Sequence, residues 1–173
     1  FKLNIEVNHA ILAKHSFEHE IAYALANDIF GSIDINRGDY LVGWDTDQFP
    51  NNTEELLLPF YYLFKNQGLG SGGLNMDAKI SRQSIDPEDL FYAHIGAMDT
   101  CARTLLAVER MIIDGSYENF MNKRYENWSQ NKELMQSSSL ESIYQNIISK
   151  DINPEPQSGR QEYLENLLNS FVE

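Results

Sequence analysis

The strongest constraint on the fold is an alternation of short β-forming runs with longer helical ones in the first half of the chain. LNIEV (3–7) is rich in strand formers and reads as a strand. Residues 16–29 (SFEHEIAYALANDI) put Phe17, Ile21, Leu25 and Ile29 four apart, which is one face of a helix. Ser16 is its expected N-cap and Gly31 its stop. SIDI (32–35) is a second short strand. After a loop at 36–50 broken by Gly38, Gly43 and Pro50, residues 53–67 read as a helix capped by Thr53 and stopped by Gly68. LNMDA (74–78) follows the turn GLGSGG as a third strand. The order β-α-β-α-β requires crossover connections and therefore a parallel sheet. Three such strands are too few to close a barrel, which takes eight strands and ~250 residues.

The second half reads as helical. Asp86 and Pro87 open a long helix, as cap and first residue, that runs to about Ile113 and stops at Gly115. Further helices are expected at 117–128, 139–149 and 158–172. Ser158 and Gln161 form a capping box for the last, whose apolar face is Leu164, Leu167, Leu168 and Phe171. The linkers at 129–138 and 150–157 are polar. This tail is too polar to form a core of its own, so residues 1–115 are read as an α/β unit and 116–173 as a helical arm that packs on another surface, such as a neighbouring subunit. The sequence enters a strand-like run at Phe1 without a methionine, which makes a piece of a longer chain the expectation.

A net charge of −13 argues against nucleic acid and anionic membranes, whose binders carry basic patches. No apolar run reaches the length of a membrane span. The single cysteine, Cys101, cannot form an internal disulfide and fits a reducing, cytoplasmic setting; among apolar neighbours in mid-helix it reads as inert core.

Excess acid becomes informative where carboxylates converge. Parallel α/β folds gather function at the carboxyl ends of their strands. Glu6 and His9 stand at the end of the first strand, Asp34 at the second and Asp77 at the third. Asp45 and Asp47, in WDTDQF, lie in the loop leaving the second. Five carboxylates and an imidazole on one rim repel unless cations lie among them. Hard oxygen ligands suit magnesium, manganese or calcium, and the histidine favours manganese, cobalt or magnesium. This many ligands implies two ions rather than one. HSFEH (15–19) matches the inverted zinc-protease pattern H-x-x-E-H, but so short a pattern arises easily by chance. GLGSGG (68–73) lacks the Lys-Ser/Thr of a phosphate loop and precedes a strand, so it reads as a tight turn. Trp44 and Phe49 read as loop anchors.

The stretches NIEVNHAILAKHSFEHE, GSIDINRGDYLVGWDTDQFP, GGLNMDAK and DPEDLFYAHIGAMD, with SGRQEYLENLLNSF in the tail, together resemble xylose isomerase of the longer-chain bacterial and fungal type. The resemblance covers nearly the whole chain. It implies the C-terminal part, strands six to eight, of a (β/α)8 TIM barrel, followed by an arm that embraces another subunit of a tetramer. The implied activity interconverts D-xylose with D-xylulose and D-glucose with D-fructose by a metal-assisted hydride shift, using two divalent ions (Mg2+, Mn2+ or Co2+). Carried over by motif, Glu6 bridges both ions, Asp34 and Asp77 hold the first, and His9, Asp45 and Asp47 hold the second. His9 and Asp47 become the catalytic residues, with Asp47 assisting proton movement. The family's ring-opening histidine, its aspartate partner, a further glutamate ligand and a substrate lysine belong to the earlier half of the barrel, and their motifs are absent from this sequence. The chain alone is therefore expected to be inactive. Lys14 stands where glycine is usual, Ile35 where alanine is usual and Met76 where an aromatic is usual, and KELMQSSS (132–139) replaces a glycine-bearing segment. Two other readings are a non-catalytic metal-binding or assembly module and another metal-dependent sugar isomerase or epimerase.

Overall fold

A computed structural model describes residues 1–66, 68–130, 136, 139–153 and 155–172. These separate into two compact units: residues 1–113 with 171–173, and residues 114–170.

The first unit is built on three parallel strands in the order β1-β2-β3: β1 (Leu3–Glu6), β2 (Phe30–Asp34) and β3 (Leu74–Asn75). All three are shorter or shifted relative to the runs read from sequence. The expected strand at 3–7 ends one residue early, because Val7 begins a short helix, α1 (Val7–Leu12), that periodicity did not reveal. The register sets Glu6 beside Asp34, and Asp34 beside Asn75. Three carboxyl ends therefore finish level, which positions everything at the rim.

Helix α2 (Phe17–Ala26) follows, and the Ser16 side chain accepts from the His19 N–H at 3.2 Å, as its cap role requires. Its buried residues, Phe17, Ile21 and Ala24, fall at helical spacing on one face. Helix α3 (Thr53–Asn66) runs through Pro59. Its cap is Asn52, whose side chain accepts from Glu54 N–H at 2.9 Å, rather than the Thr53 expected. Ile21, Ile33, Ile35, Phe60 and Leu63 are wholly buried and form the centre of this core. Ile35 is thus a packing position. Helix α4 (Pro87–Asp114) starts with Asp89 accepting from the Asp86 N–H at 3.0 Å and stops before Gly115, whose φ is 71°. Leu90, Phe91, Tyr92, Ile95 and Met98 on α4 remain exposed.

The end of α2 corrects the expectation that Gly31 stops it, and the unexpected helix α1 closes in the same way. Ala10 accepts from His15 N–H and Ile11 from Lys14 N–H, with Lys14 at φ 65°. Ala24 accepts from Ile29 N–H and Leu25 from Asp28 N–H, with Asp28 at φ 54°. Both are Schellman closures in which a non-glycine residue takes the left-handed position. Gly31 instead lies inside β2, packed close: a Cβ there would come within 2.7 Å of the Leu3 carbonyl. At Gly72 a Cβ would sit 1.8 Å from the Gly31 carbonyl, so GLGSGG serves close backbone approach.

The second unit contains α5 (Ser116–Gln130), α6 (Leu140–Ser149) and most of α7 (Gln161–Val172). Within it the Phe120 and Tyr163 rings lie 5.4 Å apart. The Arg124 guanidinium covers Phe120 at 5.0 Å and donates to the Gly159 carbonyl. Helix α7 begins at Gln161, after Arg160 at φ 49°, so the Ser158–Gln161 capping box does not form. Ser158 accepts instead from Arg160 N–H. Helix α6 buries no residue and leaves Leu140, Tyr144 and Ile148 exposed. Most of the segment KELMQSSS, and Pro154 of the second polar linker, lie outside the described residues.

Candidate metal centre

The change from strand to helix at Val7 brings the first two ligand types together. In an extended run Glu6 and His9, three apart, would point to opposite faces. A helical turn puts them on one side, and His9 Nδ1 lies 3.0 Å from Glu6 Oε2. The other imidazole nitrogen, Nε2, faces Asp45 Oδ2 at 3.3 Å. Glu6, His9 and Asp45 each offer one ligand atom within 4.8 Å of the others. Glu6, Asp34 and Asp77 form a second such set. Glu6 belongs to both.

Asp34 is held from both neighbouring strands. Asn4 Nδ2 donates to its Oδ2 at 2.6 Å and Asn75 Nδ2 to its Oδ1 at 2.9 Å. The loop at 36–50 is closed by a bridge from Gln48 to Arg37 and tied to the segment after β3 by one from Gln48 to Lys79. This carries Asp45 and Asp47 back over the rim. Asp47 takes the left-handed conformation at φ 42° and is buried, and its carboxylate is engaged by the Lys79 ammonium. Asp47 therefore stands beside Asp45 without joining either three-ligand set, although the sequence reading grouped it with His9 and Asp45.

Two asparagines organise the cluster. Asn36, almost fully buried, accepts from the Asn8 backbone N–H at 2.9 Å and donates to Glu6 Oε1 at 2.8 Å and to the Asp77 carbonyl at 3.0 Å. Asn8 Nδ2 donates to Asp45 and, at 3.5 Å, to Asp47, while its Oδ1 is buried without a partner. A Cβ at Gly38 would lie 2.0 Å from that oxygen, so glycine is required where the loop crosses Asn8. Asn36 and Lys79 were missed from sequence. Neither is a strand-end carboxylate, and only tertiary contact reveals them.

Burial raises the Glu6 carboxyl above its ordinary value, and Asp45 and Asp47 push the same way against the opposing Asn36 hydrogen bond and the His9 charge. Asp45 is also raised, first by its hydrogen bond with Asp47. Burial works against the Asp47 carboxylate too, but bonds with Asp45, Lys79 and Asn8 hold it down at about 2. Carboxyls raised by burial and by neighbouring acids, as Glu6 and Asp45 are, are what a cation would relieve.

The decoys resolve differently. Glu18 of HSFEH is half-buried and bonded by Tyr62, so it does not stand between His15 and His19. Phe49 anchors its loop against His94, with ring centres 4.7 Å apart, whereas Trp44 is 66% exposed. Cys101 is buried and its thiol is pushed up by burial, in keeping with an inert core residue.

A protein named xylose isomerase from Ruegeria sp. (strain TM1040) is 57% identical over 174 residues, covering 99% of this chain. One of the same name from Cereibacter sphaeroides is 57% identical over 172 residues, and one from Brucella abortus (strain S19) is 54% identical over 173. The chain belongs to the xylose isomerase family. It spans 40% of the length of these xylose isomerases. The family model described as the XylA2 C-terminal domain matches residues 121–172, so the shared portion is the C-terminal one. No helix among the described residues is long and apolar enough to cross a membrane.

Proposed function

We propose that this chain is the C-terminal part, strands six to eight, of a (β/α)8-barrel aldose–ketose isomerase, and that residues 116–173 form the arm of a homotetramer. The substrate pairs are D-xylose with D-xylulose and D-glucose with D-fructose, in the cytoplasm. The observation that carries this reading is Glu6, a member of two separate ligand sets at one sheet rim.

The donor set fits two divalent ions. Four oxygens of Glu6, Asp34, Asp77 and Asp45 with the His9 imidazole are hard or borderline donors, suited to Mg2+, Mn2+ or Co2+. Asp34 and Asp77 with Glu6 would hold the first ion; His9 and Asp45 with Glu6 would hold the second, with Asp47 beside Asp45. Such ions supply Lewis-acid polarisation of the sugar carbonyl for a 1,2-hydride shift. The chain's own residues supply orientation. Asn4 and Asn75 fix the Asp34 carboxylate, Asn36 fixes Glu6, and Asn8 fixes Asp45. Asp47, steadied by Lys79 beside Asp45, is the group we assign to assist the movement of the sugar's hydroxyl proton.

Exposed Leu90, Phe91, Tyr92, Ile95 and Met98 on α4 support a need for the N-terminal barrel part as cover, and the exposed face of α6 supports a subunit contact. Manganese titration of the chain, followed by electron paramagnetic resonance, tests the site. Glu6→Gln is expected to weaken both ions about tenfold or more, and Asp34→Asn only one. Unchanged binding in Glu6→Gln would overturn the shared-ligand assignment. Xylose turnover on adding the N-terminal part tests the activity. Assembly and metal binding without turnover would leave the second reading, a non-catalytic metal-binding module, which the exposed α4 face also accommodates.

A further inference from the structure

The pattern HSFEH, set aside as a protease signature, nonetheless brings two histidines together. His15 Nδ1 contacts Glu20 Oε1, His19 Nδ1 lies 3.5 Å from the same oxygen, and the two rings are 4.8 Å apart. The ligand atoms of His15, His19 and Glu20 all lie within 4.8 Å of one another. We propose that these three side chains form a surface site for a borderline divalent transition-metal ion of the Zn2+ class, separate from the Glu6 cluster, with which it shares no residue.

The site is positioned by backbone devices rather than by chance proximity of flexible groups. His15 is fixed by the Schellman closure of α1, where its N–H bonds to the Ala10 carbonyl at 2.9 Å. One residue later Ser16 caps α2 by accepting from the N–H of His19. Tyr23, one turn further on, stacks along the His19 ring at 6.1 Å. Two helix ends therefore set the spacing of the imidazoles, and Glu20 reaches both.

The donor set decides the class of ion. Two imidazoles and one carboxylate suit zinc, nickel or copper, whereas magnesium and calcium prefer oxygen throughout. The side chains of His15, His19 and Glu20 are 49%, 56% and 30% exposed, so water can complete the coordination. Three protein ligands with an open position is an accepted zinc arrangement. The glutamate of the motif, Glu18, is turned to Tyr62 and takes no part, which removes the metalloprotease general base.

The test is a Zn2+ titration of the full chain in excess Mg2+, followed by the imidazole 15N signals of its four histidines. Sub-stoichiometric Zn2+ is expected to shift His15 and His19 together. His19→Gln and Glu20→Gln are each expected to weaken that binding about tenfold or more while leaving the circular dichroism spectrum unchanged. Zn2+ that perturbs His9 alone would overturn the proposal, as would variants that bind it as tightly as the parent. Because Mn2+ binding at Glu6 is read separately, failure here is distinguishable from failure of the isomerase reading.

Discussion

Lys14 holds a backbone conformation that suits glycine, with φ 65° at the end of α1 and an exposed side chain. The left-handed region costs a Cβ-bearing residue about 1–2 kcal/mol, partly offset because glycine gives the unfolded chain more freedom. Lys14→Gly is therefore expected to stabilise by about 0.5–1 kcal/mol, seen as a higher midpoint in thermal or urea unfolding. A lower midpoint would mean the lysine side chain contributes something the backbone argument omits. Asn36 sits at the opposite extreme, buried and serving three groups at once. Asn36→Ala leaves the Asn8 N–H and the Glu6 carboxylate without their partner, at a cost of about 1–3 kcal/mol in stability. Mn2+ affinity is expected to fall about 10–100-fold, as for other groups that orient ligands. Unaltered Mn2+ binding in the folded variant would show that Glu6 needs no orienting partner.

Among the elements, the short helix α1 does most to shape the site, because it turns His9 back toward Glu6. Six residues carry too little periodicity to announce a helix, and the β-forming Val7 extended the apparent strand instead. The closures of α1 and α2 were hidden for a related reason: glycine is the sequence signal for a left-handed end, and Lys14 and Asp28 occupy those positions here. Helix α2 also carries a titrating group. Glu18 is pushed above its ordinary value of 4.5 by burial, against the Tyr62 hydrogen bond. The folded state thus favours the protonated acid, a contribution fully present below pH 4.5 and lost as pH rises through the raised value. Glu18→Gln stays neutral throughout. It should melt higher than the parent at pH 7 and alike near pH 4, measured at high salt to screen the net charge of −13. An equal gain at both pH values would show that the effect has another source.

At the scale of the whole molecule, the chain spans 40% of the length of its xylose isomerase relatives and presents two compact units. Among the described residues its sheet has three strands, and an all-parallel sheet is normally covered on both faces. Large apolar side chains on α4 and α6 stand exposed. Much of this was legible beforehand. The order of strands and helices follows from hydrophobic period, which is local, and the carboxylates at the strand ends can be read by position alone. The sequence by itself therefore determined the alternation of three strands with the helices α2 and α3, the parallel pairing it requires and the positions of ligand-type residues at or after the strand ends. Tertiary structure alone decided which of those residues meet. The register of Glu6 with Asp34, the bridge from Gln48 to Lys79 and the asparagines beneath the carboxylates all depend on contacts between segments 28 to 41 residues apart. Periodicity reports which face a residue shares with its neighbours along the chain; it carries no information about which distant carboxylate lies across from it.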